Sequence, residues 1–325
     1  MTNSEISCKY VITESLKKRF CKDTNIPIKI FEEPYFSHFL QLYDKQFDAV
    51  SKYKRFVETV ESCGGEQSYF EEYERLKDSM IKYLSDNPDM QKFSREIDMN
   101  QFACKNTGFP TRDIFKVTND GKYFVSIDMV KGNFTAVSHY NRSIVGNAST
   151  YQEFIGLFTN RKHFIESKYI RQVVFGNLNP KRQVTYEKYL MDKVLTQLLE
   201  CDISPDSVEF FSTDEIVLSI PSAFIVDNSV SDEYVEKIEK VISWAKSQDI
   251  NVRSEFFRLN SIKGTEGFIK TFVGPDSGVE FKCLDFLSYP FVLRKFYNEP
   301  ICEYDRIFLY DGKKVKLIED IQVEF

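Results

Sequence analysis

The sequence predicts an α+β fold: an antiparallel sheet with helices on one face, preceded by a helical N-terminal region and followed by a small β-rich segment. Three observations lead there. Apolar residues recur at helical spacing through the first 115 residues or so. Residues 120–275 read strand, helices, helix, β-hairpin, helix, β-hairpin. The last forty residues alternate around an Asp311-Gly312 turn. The expected division is therefore 1–115, a core over 116–275 with a basic insertion at about 141–200, and an appendage over 276–325.

Taken in order, Phe47, Val50, Val57 and Val60 mark one helix between Asp44 and Cys63, which Gly64-Gly65 stops. Ser68 followed by Glu71 reads as a capping box, with Tyr73, Leu76, Met80 and Tyr83 as the apolar face of a second helix ending before Asn87-Pro88. Asn119-Asp120-Gly121 is a turn, and Tyr123 to Asp128 is a β-prone run. Thr150 with Glu153 opens a helix. Asn179-Pro180 opens another, whose core face is Met191, Val194, Leu195 and Leu198. Ser207 to Ile220 gives two β arms about Asp214-Glu215. Ser231 caps a helix that buries Val235, Ile238, Val241 and Ala245. Asn251–Leu259 and Gly267–Val273 then form a hairpin across Lys263.

The 325 residues carry 49 acidic and 43 basic side chains, a net charge of −6, which excludes a polybasic coat for nucleic acid or anionic lipid. Hydrophobic content of 42% describes a globular chain, and no apolar run reaches membrane-spanning length, so no membrane is expected as a partner. The N-terminus lacks an apolar signal core, which points to a cytoplasmic location. Seven scattered cysteines, including Cys8, contain no C-x-x-C pair, and none lies near a histidine at ligand spacing in the chain. A reduced compartment without structural zinc is the expectation. The three Asn-x-Ser/Thr triplets, at Asn133, Asn141 and Asn147, are chance occurrences in such a chain.

Phosphate-binding, dinucleotide-binding, zinc-protease and serine-hydrolase signatures are all missing from the sequence, and three histidines leave little for a histidine-based triad. The chemistry that remains is acidic. Asp128 ends an apolar strand and Asp214-Glu215 sits in a hairpin bend. Singly, each is an ordinary turn or surface feature. On neighbouring strands their like charges would repel, and divalent cations would relieve the repulsion. Between them, residues 161–188 hold seven Lys or Arg against Glu166 and Glu187, a local charge of +5. Within that stretch, Gly176 and Asn177 suggest a special backbone running into the Pro180 helix, with Arg171, Lys181 and Arg182 placed for phosphate.

This order resembles the palm domain of template-directed nucleotide polymerases, over roughly residues 110–275. Asp128-Met129 resembles the first palm motif. Ser212-Thr213-Asp214-Glu215 is similar to the S-x-D-E signature of lesion-bypass DNA polymerases. The Gly176–Gln183 stretch is more similar to the second motif of reverse transcriptases and RNA-dependent RNA polymerases. Val130 stands where the lesion-bypass enzymes carry a second Asp, and there is no Y-x-D-D, so the subfamily stays unassigned.

The resemblance implies a palm-like core with a fingers-like insertion, working as a metal-dependent nucleotidyltransferase that extends a nucleic-acid strand. Asp128, Asp214 and Glu215 would be catalytic and would hold two divalent cations, Mg²⁺ or Mn²⁺, with the Met129 carbonyl completing a shell. Phe134, or Asn133, would lie under the sugar of the incoming nucleoside triphosphate. Arg171, Gly176, Lys181 and Arg182 would meet triphosphate or template phosphates, and Lys263 the leaving pyrophosphate. Glu255 is a spare carboxylate on its strand. Nucleoside triphosphates and a DNA or RNA primer–template would be the partners; the N-terminal helices lie outside the resemblance and leave a protein partner open. Two alternatives stay open: a nucleotidyl cyclase or RNA-end transferase on the same core, and a non-catalytic nucleic-acid-binding or replication-scaffold protein.

Overall fold

The computed structural model describes residues 9–274 and 278–325. Cys8 and the N-terminal stretch read above for a signal core fall outside the described residues. The first elements among the described residues are α1 (Glu14–Thr24), α2 (Tyr35–Leu42), α3 (Asp44–Phe47), α4 (Ala49–Cys63), α5 (Glu66–Asp86) and α6 (Pro88–Arg95). Then come β1 (Tyr123–Met129), α7 (Gly132–Tyr140), α8 (Tyr151–Gly156), α9 (Lys162–Glu166), α10 (Lys168–Gly176) and α11 (Pro180–Glu200). The hairpin β2 (Val208–Phe211) and β3 (Glu215–Ser219) follows, then the short pair β4 (Ile225–Val226) and β5 (Ser229–Val230), and α12 (Asp232–Ser247). Next are β6 (Val252–Ser261), β7 (Phe268–Phe272), β8 (Val279–Lys282) and α13 (Ser288–Phe296), and last β9 (Ile307–Tyr310) and β10 (Lys313–Lys316). This is an α+β protein. No helix among the described residues is long and apolar enough to cross a membrane.

Two compact units form, each discontinuous in sequence. The first takes residues up to Ser85, Ser149–Leu178 and Asp285–Glu324; the second takes Asp86–Ala148, Asn179–Leu284 and Phe325. This partition cuts across the threefold division expected from sequence. It also breaks the basic stretch between Leu178 and Asn179, so Arg161, Lys162, Lys168 and Arg171 belong to one unit and Lys181, Arg182 and Lys188 to the other.

In the first unit, α4 ends where Gly64 and Gly65 take left-handed φ of 98° and 107°. The Gly65 carbonyl accepts from Tyr69 N–H at 3.0 Å and so begins α5. Ser68 and Glu71 therefore lie inside the opening turns of α5 and are not its cap, because the glycines place the helix start three residues earlier. The face of α4 also turns from the expected one: Tyr53, Phe56, Val57 and Val60 are buried while Val50 is half-buried. On α5, Leu84 is buried where Tyr83 was expected, and Tyr83 is exposed. Thr150 does cap α8, accepting from Glu153 N–H at 3.1 Å, while Glu153 accepts from Ser149 N–H at 2.7 Å. Buried Asp23 ties the interior together, accepting from Ser167 Oγ at 2.8 Å and Tyr69 Oη at 3.3 Å, with His163 Nε2 at 3.0 Å. The C-terminal segment holds α13 as well as the β9–β10 hairpin, so it is less purely β than expected.

The second unit is built on a sheet of order β2-β3-β1-β6-β7-β8, every neighbouring pair antiparallel. Its first four strands and the crossovers through α11 and α12 give the β-α-β-β-α-β order of a split βαβ arrangement. α11 packs on β3 and on α12, and α12 packs on β6, so both helices share one face, and Val125, Ile127, Ile216 and Leu218 of β1 and β3 are buried. Met191, Val194, Leu195 and Leu198 of α11 are fully buried, as their spacing required. On the opposite face, one end of the sheet carries Phe124, Val217, Phe257, Leu259 and Phe268, covered by Ile114 and Phe115. The other end of that face is polar.

Candidate functional site

Strand alternation decides what gathers at that polar end. Phe124, Ser126 and Asp128 point to one face of β1, so the apolar residues anchor the strand while its last acidic residue emerges at the edge of the cover. Asp128 stands directly opposite Glu215 on β3 and opposite Arg253 on β6, one row across three strands. The next row is Val217, Ser126 and Glu255. The strand-end carboxylate and the hairpin carboxylate expected to be neighbours are neighbours.

The tip of the β2–β3 hairpin is the three-residue turn Ser212-Thr213-Asp214. Ser212 N–H donates to the Glu215 carbonyl at 2.9 Å, and Ser212 Oγ accepts from Glu215 N–H at 3.1 Å. Lys188 braces the turn from α11, donating to the Phe211 and Ser212 carbonyls at 3.2 Å each, its ammonium 3.3 Å from the Phe211 ring centroid. Burial pushes the Lys188 pKa down. Met129 N–H donates to the Asp214 carbonyl at 2.8 Å, which joins the end of β1 to the turn. Asp214 itself is exposed.

The charges are only partly balanced. Burial raises the Asp128 pKa, and Glu215 and Asp214 raise it further, against the opposing pull of Arg253. Arg253 Nε donates to Asp128 Oδ2 at 3.2 Å, and Arg253 Nη2 lies 3.3 Å from Glu255. Ser126 Oγ donates to Glu215 Oε1 at 2.5 Å. Glu255 is held below the usual carboxylate range despite its burial, because Lys270 donates to it at 2.6 Å.

A fifth carboxylate enters the sequence reading only as a charge. Glu187 on α11 is 5% exposed, accepts from Asn133 Nδ2 at 2.9 Å, and lies against Gly132, where a Cβ would come within 3.4 Å of its carboxyl carbon. Burial, then the nearby Asp214, push its pKa up to about 7. Nothing in the one-dimensional pattern marks it except its place on the buried stripe of α11, seven residues before Val194 on the same helix. Arg253, Ser126 and Lys188 were missed for the same reason: their roles come from strand register and helix packing.

The remaining expected residues fare differently. Asn133 is engaged with Glu187, and Phe134 is 4% exposed in the first turn of α7, leaving little ring face for a ligand. Arg171 lies on α10 of the first unit with its guanidinium 5.8 Å from the Tyr151 ring centroid. Gly176 closes the same helix without a positive φ and with open space for a Cβ, so the special backbone expected there is an ordinary helix end. Pro180 does start α11, but Asn179 makes no side-chain cap and instead donates to the Ser94 carbonyl at 2.9 Å. Lys181 is exposed at that start. Arg182 Nη1 donates to the Phe93 and Ile97 carbonyls at 3.0 and 2.7 Å, closing the C-terminal end of α6. Lys263 is misplaced for a leaving group at Asp128: it follows β6, and the strand from Arg253 to Ser261 alone covers roughly 27 Å.

Asp128, Asp214 and Glu215 offer hard oxygen ligands of the kind Mg²⁺ and Mn²⁺ take. Among the described residues, the set of three His, Cys, Asp or Glu side chains whose ligand atoms all lie within 4.8 Å is a different one, His38, Cys302 and Asp305 in the first unit. The carboxylates at the end of β1 are thus gathered more loosely than that. No protein-family model, curated protein or solved structure matches the chain.

Proposed function

We propose that the polar end of this sheet is a metal-dependent nucleotidyltransferase site that extends a nucleic-acid strand from nucleoside triphosphates, in a palm-like core. One observation carries the reading: Asp128 and Glu215 face each other on adjacent strands, with Asp214 on the turn that Met129 N–H bonds. Burial raises the Asp128 pKa, and Glu215 and Asp214 add to it against the pull of Arg253; a half-buried carboxylate with two acidic neighbours is an environment suited to cations. Two divalent cations, when bound, would lower the pKa of an attacking hydroxyl and stabilise charge on the phosphate and leaving group. Asp128, Asp214 and Glu215, with the Met129 carbonyl, would hold them.

The chain's own groups then have defined work. Ser126 fixes one oxygen of Glu215 and leaves the other available. Arg253, whose side chain is 59% exposed, can swing from Asp128 toward a triphosphate. Lys188 keeps the turn that carries Asp214 in place. The test is incorporation of labelled nucleotides on several primer–templates with Mg²⁺ or Mn²⁺. Incorporation lost in both Asp128→Asn and Asp214→Asn supports the assignment; no incorporation on any primer–template, or full activity in both variants, ends it.

The Arg253–Asp128 ion pair favours a second reading, a nucleic-acid-binding protein whose guanidinium stands where a cation would. That reading requires binding that ignores divalent cations and survives Asp128→Asn.

A further inference from the structure

Away from that sheet, the first unit brings together three side chains from opposite ends of its sequence. His38 lies on α2, and Cys302 and Asp305 belong to the single 3₁₀ turn after α13, Cys302 as its cap and Asp305 within Glu303–Arg306. His38 Nε2 is 2.7 Å from Asp305 Oδ1 and 3.8 Å from Cys302 Sγ. We propose that His38, Cys302 and Asp305 form a zinc site, with water as the fourth ligand.

The donor set fits that metal. Imidazole nitrogen, thiolate and carboxylate are the zinc ligands, and ligand atoms about 2.0–2.3 Å from a tetrahedral zinc lie roughly 3.5 Å apart. The sulfur–nitrogen pair already stands near that spacing, and the nitrogen–oxygen pair needs to open by roughly 0.8 Å. The outer shell is built as well. Arg294 Nε and Cys302 N–H each donate to Asp305 Oδ2 at 2.9 Å, which orients the carboxylate so that Oδ1 faces His38. The His38 ring is held at its edge by Tyr304, with centroids 5.4 Å apart. The His38 side chain is 14% exposed and Cys302 is half-buried, which leaves a path for the ion and a water. On binding, the Cys302 thiol proton leaves to solvent, and the imidazole carries its hydrogen on Nδ1 so that Nε2 is a free donor. Bound there, zinc would cross-link α2 to the 302–305 turn. The absence of Cys–His spacing in the sequence does not bear on this, because the ligands are 264 residues apart.

The full chain, stripped with a chelator, is titrated with Zn²⁺ against a chromophoric competitor and separately with Co²⁺. The site predicts one equivalent of Zn²⁺, a thiolate–Co²⁺ charge-transfer band, and a rise in melting temperature with Zn²⁺. Cys302→Ser should abolish the band, and it and His38→Gln should each weaken Zn²⁺ binding by more than about tenfold. Both variants keep the Arg294–Asp305 pair, so their melting temperatures without metal serve as the folding control. No stoichiometric binding by the unsubstituted chain would leave a hydrogen-bonded His–Asp pair and overturn the site. Unchanged affinity in both variants would place the metal elsewhere and overturn it equally. Neither result depends on whether the chain transfers nucleotides.

Discussion

Replacing Glu187 by Gln should stabilise the second unit, and the gain should grow with pH. The folded-state pKa is pushed from 4.5 to about 7 by burial and by Asp214. A carboxyl whose pKa is raised on folding favours the fold below its unfolded value and loses that contribution as pH climbs to the folded one. Full ionisation in place thus costs about 3 kcal/mol above neutrality, at ~1.4 kcal/mol for each unit. Glutamine keeps an oxygen for the Asn133 donor and carries no charge. Between about pH 5 and about pH 8 the stability difference between the two proteins should widen by about 2.5 kcal/mol in favour of Glu187→Gln. The single tryptophan, Trp244 on α12, lies in the same unit, so its fluorescence during urea unfolding reads the relevant transition. A stability difference that stays constant across that range, or narrows with rising pH, would refute the reasoning. Asp214→Asn should lower the Glu187 pKa and reduce the pH dependence.

Arg253→Ala removes a half-exposed partner of Asp128, so stability should change by less than about 1 kcal/mol while the Asp128 pKa, followed by NMR, rises. Arg182→Ala leaves the Phe93 and Ile97 carbonyls without their donor; a loss of about 1–2 kcal/mol is expected, with faster amide exchange confined to the end of α6. Unaltered exchange there would show that Arg182 serves something other than the helix end. Phe124→Ala empties the centre of the apolar cluster under Ile114 and should cost about 3–5 kcal/mol by denaturant unfolding. Ser126→Ala takes the donor from Glu215 Oε1 and should cost about 1–2 kcal/mol by urea unfolding, whereas an unchanged midpoint would show that this bond does not hold the strand pair.

Local physics made much of this molecule legible. The buried stripe of α11, the Thr150 cap and the Asp128 strand follow from periodicity and short-range hydrogen bonding, which depend on residues a few positions apart. The juxtaposition of Asp128 with Glu215 was also readable, because a hairpin beside an alternating strand leaves few registers that keep Val125 and Ile127 on the buried face. Ser68 is no cap because the Gly64-Gly65 turn beside it already starts α5, and Gly176 closes α10 with ordinary backbone where a special one was expected.

The alternation of apolar and polar residues by itself determined an antiparallel sheet with helices on one face and an acidic end. Tertiary structure alone decided the partners of those acids. Arg253 meets Asp128 through the pairing of β6 with β1, Glu187 is buried by the packing of α11 on α7, and Arg182 turns to the end of α6. Lys263 is carried to the far end of the sheet by the length of its own strand. Pattern fixes which way a side chain points; only the closing of long loops fixes what it finds there.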